Sequence, residues 1–161
     1  MPPTALDEKA ELFATFRRLL IEQLDALQRT RQSAQSGTRV DGTHRPATRG
    51  ERGAVTSQGY LALGLGQRIT VLTDTLLLLE RIPPEPRTEV AAGALVTLAD
   101  GRRLLVLPGG QGTKLTGARG SVIVLSPSSP LIRALAGCEE GDAVEVERGG
   151  RWEEVEIETI S

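Results

Sequence analysis

The side chains best suited to chemistry cluster in one glycine-rich stretch, residues 35–53. Four arginines, Arg39, Arg45, Arg49 and Arg52, stand there against two acids, Asp41 and Glu51. Guanidinium groups so placed can face acids on a partner, a nucleic-acid backbone or the phosphates of a nucleotide, through short charge-assisted hydrogen bonds. A loop of this composition can equally be no more than solvated. The crowd of positive charge disfavours a resident cation. His44 is the only histidine and has no cluster of cysteines around it, which argues against a zinc site and against a Ser/His/Asp arrangement. Residues 109–114, Gly-Gly-Gln-Gly-Thr-Lys, lack the full spacing of a phosphate-binding loop and read as a flexible hairpin or crossover. Cys138 is the lone cysteine, so no intramolecular disulfide forms, and its use fits a reducing cytoplasm. It reads as a small buried hydrophobe rather than a reactive thiol.

This stretch separates two segments of helical periodicity. From Leu6 to Ala34 there is neither proline nor glycine, and Asp7, Glu8 and Glu11 sit where a helix N-terminus favours negative charge. Phe13, Phe16, Leu20, Leu27 and Ala34 fall on a three-four spacing, with Gln23 and Thr30 as its polar members, widened by Leu12, Leu19 and Leu24. That is one amphipathic helix of roughly 40 Å at 1.5 Å per residue. The second run, Ala62, Leu65, Ile69, Leu72, Leu76 and Leu79, keeps the spacing until Glu80-Arg81, where Pro83-Pro84 forbid continuation. Two such helices joined by a loop pair most simply as an antiparallel hairpin. Gly59, Gly64 and Gly66 weaken the start of the second helix by about 1 kcal/mol each. They fit either close approach of another backbone or a deformable tip, and this end is expected to be frayed, bent or ordered by contacts.

After the proline-rich linker the pattern becomes one of short strands. Residues 94–98 and 104–107 flank Asp100-Gly101, a hairpin turn. Residues 108–120 show little strand character. Residues 122–125 are fully apolar; Val144 and Val146 alternate with Glu145 and Glu147; Val155, Ile157 and Ile160 mark a last strand after the turn at 148–151. A small, mostly antiparallel sheet with one short helix follows from this. The expected domains are residues 1–82, the helical hairpin or coiled coil, and 83–161, the sheet, giving an α+β fold. The chain has 161 residues, a formal net charge of −2 and only 2% aromatics. It is therefore not a basic nucleic-acid binder and lacks base-stacking platforms, so no direct specific DNA binding is expected. No signal peptide, membrane span or membrane partner is expected either.

The short helix lies in the most distinctive stretch, residues 126–146. Pro127 and Pro130 stiffen the approach. Ser129 is placed to cap a helix whose first position is Pro130. Leu131, Ile132, Ala134 and Leu135 give its apolar face, Gly137 ends it, and Gly141-Asp142 turns into the next strand. The order Ser-Pro-Leu-x-x-Ala-Leu-x-Gly, then Gly-Asp-x-Val-x-Val, resembles the C-terminal domain of the bacterial transcript cleavage factors GreA and GreB. Residues 93–98 look like that family's first C-terminal strand, and the order hairpin, linker, sheet matches it over nearly the whole chain.

The resemblance implies an FKBP-like C-terminal domain without isomerase activity, docked at the rim of the secondary channel of bacterial RNA polymerase. Ser128, Ser129 and Pro130 would form the docking loop, and the coiled coil would reach into the channel. Cleavage-competent relatives carry an Asp and a Glu three residues apart at the tip, which hold a magnesium ion at the polymerase active centre. Matched on residues 67–69, Glu51 takes the Glu position and Thr48 the Asp position, so one carboxylate is missing. The expectation is a cytoplasmic transcription elongation regulator that is not itself an enzyme. It would need no cofactor of its own, and its channel tip would be Asp41, Arg45, Arg49, Glu51 and Arg52. Two alternatives stand beside it. One is a cleavage-stimulating factor in which Glu51 suffices, with magnesium held at the polymerase. The other is an FKBP-like interaction module for a different partner.

Overall fold

The computed structural model describes residues 2–38 and 49–161, with the side chains of 35–38, 49–58 and Ala62 left out of the description. The chain has an α+β fold: two long helices, then a six-stranded sheet with one short helix. It divides into two compact units, Met1–Arg17 with Leu77–Ser161, and Arg18–Leu76.

Helix α1 spans Ala5–Thr38 and α2 spans Arg49–Glu80. A reciprocal cap fixes the start of α1. The Thr4 hydroxyl accepts from the Asp7 amide at 3.1 Å, and the Asp7 carboxylate accepts from the Thr4 amide at 3.0 Å. The helices run antiparallel. Arg17 pairs with Glu80 at 2.9 Å, while further along α1 the Arg31 guanidinium lies against Gly66, further back on α2. In the unit of residues 18–76, Leu20, Ala34, Leu65 and Ile69 are buried, and Leu24, Leu27 and Leu72 half-buried, so the expected stripes are the covered ones.

The glycines of α2 behave differently from one reading of the sequence. The helix runs unbroken through Gly59, Gly64 and Gly66. Among the described residues, a Cβ built on Gly59 or Gly64 meets nothing within 4 Å, and on Gly66 only the arginine at 3.9 Å. Close backbone approach among the described residues is therefore not their reason. Gly59→Ala should raise stability by about 1 kcal/mol, because alanine loses less backbone freedom in a helix and here meets no obstacle. A thermal melt of the variant, shifted upward at unchanged helicity, checks this.

The other unit is built on strands β1 (Leu95–Leu98), β2 (Arg103–Val106), β3 (Gln111–Gly117), β4 (Gly120–Leu125), β5 (Ala143–Arg148) and β6 (Arg151–Ile160), in the order β3-β4-β2-β1-β6-β5. The β1–β2 hairpin pairs Leu95 with Leu105 across the expected Asp100-Gly101 turn. One feature departs from the sequence reading. The glycine-rich segment after Pro108 contains β3, paired antiparallel with β4 through a bulge between Gln111 and Thr113. The sheet is mostly antiparallel, as expected, and β2 and β4 are its one parallel pair, Leu104 opposite Ile123.

Alternation buries both faces of the sheet. Val96, Leu98, Leu104, Val106, Val146, Val155 and Ile157 form one core with Ile132 and Leu135 of α3 (Pro130–Leu135). Leu95, Leu105, Leu115, Val122 and Val124 are buried on the other face. In the same unit Leu12, Phe13 and Phe16 are buried in the first turns of α1. Two charged side chains lie there. Glu8 is 1% exposed and takes a two-pronged grip from Arg103, Nη1 to Oε1 at 3.0 Å and Nη2 to Oε2 at 2.8 Å, with the Arg119 amide at 2.9 Å. Lys9 is fully buried and donates from Nζ to the carbonyls of Glu85 and Ser161, at 2.5 and 2.8 Å.

Candidate docking site

Residues 126–129 form a tight turn, closed by its own polar groups, that leads into Pro130 at the head of α3. The hydroxyls of Ser126 and Ser128 are 2.6 Å apart, and the Ser126 Oγ also accepts from the Ser128 amide at 3.1 Å. The Ser129 amide donates to the Ser126 carbonyl at 3.0 Å. The base of the loop is held by Gly110, whose carbonyl accepts from the Ser126 amide at 3.0 Å. A Cβ on Gly110 would lie 2.6 Å from the Leu125 backbone, so only glycine allows this approach.

Ser129 caps α3 as the sequence predicts. Its backbone is extended (φ −64°, ψ 146°) and its hydroxyl accepts from the Ile132 amide at 3.4 Å, with Pro130 opening the helix. Gly137 ends it at φ 77° and donates to the Val90 carbonyl at 3.0 Å. Ile132 and Leu135 anchor the helix in the core, which leaves Pro127, Ser128 and Pro130 exposed and Ser129 half-buried. The expected docking residues therefore form one rigid, projecting surface.

Beside this surface opens a cleft of about 430 Å³, walled by Leu104, Ile123, Leu125, Leu131, Val146 and Val155, with Ser129 and Pro130 at its edge. Arg102 crosses its rim, bound to Asp100 at 2.7 Å and to Glu153 at 2.8 Å. The Asp100 carboxyl is held below its usual range, chiefly because it accepts the Arg102 amide. Such a cleft can take an apolar side chain while its rim orients polar groups. Sequence reasoning missed it, because its lining comes from five strands and α3. Cys138 is half-buried next to α3, and burial, followed by the Asp142 charge, pushes its thiol up, away from thiolate reactivity.

Of the expected tip, Asp41 and Arg45 lie outside the described residues. Arg49, Glu51 and Arg52 are placed by backbone only, in the first turn of α2. The tip and the loop 126–130 fall in the two different units, apart from the undescribed residues. Among the described residues no group of three or more His, Cys, Asp or Glu side chains could hold a metal ion.

No family model matches the chain, and no curated protein does. Three solved structures are similar to it. One is the GreA factor homolog 1 (Gfh1) protein of Thermus thermophilus, 18% identical, covering 90% of this chain and 94% of that one, with a TM-score of 0.35. A second is a structure of the transcription factor Gfh1, 20% identical over 89% and 92% of the two chains, TM-score 0.36. The third is Thermus aquaticus Gfh1, 21% identical over 89% and 92%, TM-score 0.36.

Proposed function

We propose that this chain is a transcription regulator that binds bacterial RNA polymerase. It docks at the rim of the secondary channel through Ser128, Ser129 and Pro130, and presents the basic end of its helical hairpin to the channel without stimulating transcript cleavage. The observation that carries the reading is the rigid Ser-Pro loop. Its hydroxyl pair, its capped helix and its Gly110 support hold the exposed Ser128 and Pro130 and the half-buried Ser129 in one geometry, in the stretch whose residue order resembles the polymerase-docking domain. Preorganisation of this kind lowers the entropy cost of association. The absence of cleavage is argued from the tip sequence. One carboxylate, Glu51, among Arg39, Arg45, Arg49 and Arg52 is a poor ligand set for a second magnesium ion against the charge of RNA.

A stalled elongation complex with end-labelled RNA and magnesium tests this reading. The wild-type chain is expected to alter nucleotide addition or complex stability and to leave the RNA at full length. Arg49→Glu with Arg52→Glu should abolish that effect, while Glu51→Ala should leave most of it. Shortened RNA that appears with the wild type and vanishes with Glu51→Ala would establish the cleavage-factor alternative instead. The second alternative, an interaction module for another partner, draws on the apolar cleft at the loop's edge.

A further inference from the structure

Helix α2 carries large exposed apolar side chains, interleaved with polar ones, on the side away from its covered stripe. Leu65 and Ile69 are covered. On the opposite side Tyr60, Leu63 and Val71 are 73%, 63% and 66% exposed, and Gly64, Gln67, Thr70 and Asp74 on the same face are exposed as well. These positions recur at three-four spacing and make a second complete stripe. Asp74 has no ion pair and Gln67 no hydrogen bond among the described residues.

The stripe is complementary to itself. When a second copy of α2 is laid antiparallel across it, with the two-fold axis at Gln67, every layer finds a partner of matching chemistry. Gln67 meets Gln67, and the two amides can exchange hydrogen bonds. Leu63 meets Val71 of the second copy. Gly64, with open space where its Cβ would be, meets Thr70 and lets the helices approach. The Tyr60 hydroxyl meets the Asp74 carboxylate. A two-fold contact requires this reciprocity, since residue i must meet j while j meets i. The polar layers also fix the register, because a slip along the helix would bury Gln67 and Asp74 without partners. The stripe runs for about 21 Å at 1.5 Å per residue.

We infer that this chain, while free of polymerase, self-associates through the outer face of α2, between Tyr60 and Asp74, as an antiparallel two-fold helix pair. A membrane is the competing occupant, since residues Gly59–Glu80 are long and apolar enough to cross one. The adjacent Gln67 and Arg68 and the nearby Asp74 would then lie in hydrocarbon, where such groups are costly, whereas in the helix pair the Gln67 and Asp74 side chains are satisfied.

Sedimentation equilibrium of the full chain across the micromolar range should show a reversible step from one to two chain masses. Leu63→Asp with Val71→Asp should remove that step at unchanged helicity, because both side chains are exposed in the single chain. In a Cys138→Ser background, Gln67→Cys should form an interchain disulfide on mild oxidation, while Glu22→Cys on the exposed side of α1 should not. A wild-type chain that stays monomeric overturns the inference, as does a dimer that survives the double substitution. Binding to anionic phosphatidylserine vesicles that this substitution abolishes, in a chain monomeric in water, overturns it in favour of a lipid surface.

Discussion

Glu8→Ala is expected to destabilise the unit of residues 1–17 and 77–161 by about 3–5 kcal/mol, the cost of removing one partner from a buried ion pair. The size follows from what remains. Arg103, with a side chain only 12% exposed, would lose both of its short bonds, and the Arg119 amide would lose its acceptor. Arg103→Ala should cost a similar amount by stranding the carboxylate, and the double variant should cost less than the sum of the two. Chemical denaturation of the three proteins gives the coupling directly.

The same site predicts the shape of the pH–stability curve, with stability rising with pH at both its acid and its alkaline end. Burial alone would raise the Glu8 carboxyl. The Arg103 hydrogen bonds, the Arg119 amide and the two positive charges outweigh it and hold the group below its ordinary value. A carboxyl depressed in the folded state stabilises above its unfolded value and loses that contribution as pH falls through the folded one. Lys9 is lowered from 10.5 to about 8, first by burial and then by the Arg87 charge. The folded chain therefore releases this proton earlier than the unfolded chain. Below pH 8 both states hold it and the penalty for the buried charge is complete. Between about 8 and 10.5 only the unfolded state holds it, so stability rises with pH. Lys9→Met should remove this alkaline rise, and Glu8→Ala should flatten the acid limb.

The second large effect is on binding. Ser128→Arg should weaken affinity for polymerase by about tenfold to a hundredfold, the range of a central interface residue. Ser128 is exposed, so the longer side chain has room in the free protein. In a docked complex it would have to displace the partner from the Ser-Pro surface, and it would also break the 2.6 Å contact with Ser126. Unchanged melting of the variant separates lost docking from lost folding. Full affinity in Ser128→Arg, together with loss on truncating the hairpin, would put the docking surface elsewhere.

What could be read from the residues alone was whatever local chemistry determines. The Ser129 cap, the stop at Gly137, the Asp100-Gly101 turn and the two helical stripes each depend on neighbours within a few positions, and each is present. Strand β3 was invisible because it is an edge strand with only Leu115 buried, so it has no apolar alternation to detect. The parallel β2–β4 pair is a matter of pairing, which alternation does not encode. Glu8 looked like a helix-start acid because its partners lie 95 and 111 positions further along the chain. No spacing rule reaches that far, and the walls of the cleft were hidden for the same reason. The basic stretch is the part of the candidate site for which residue types are the whole argument.

A binding titration of the labelled full-length chain against purified bacterial RNA polymerase tests the central claim most directly. The account predicts saturable binding that an excess of unlabelled wild-type chain displaces and unlabelled Ser128→Arg displaces poorly. A chain that is folded, by its helicity and melting, and does not associate with the polymerase at any concentration would contradict it.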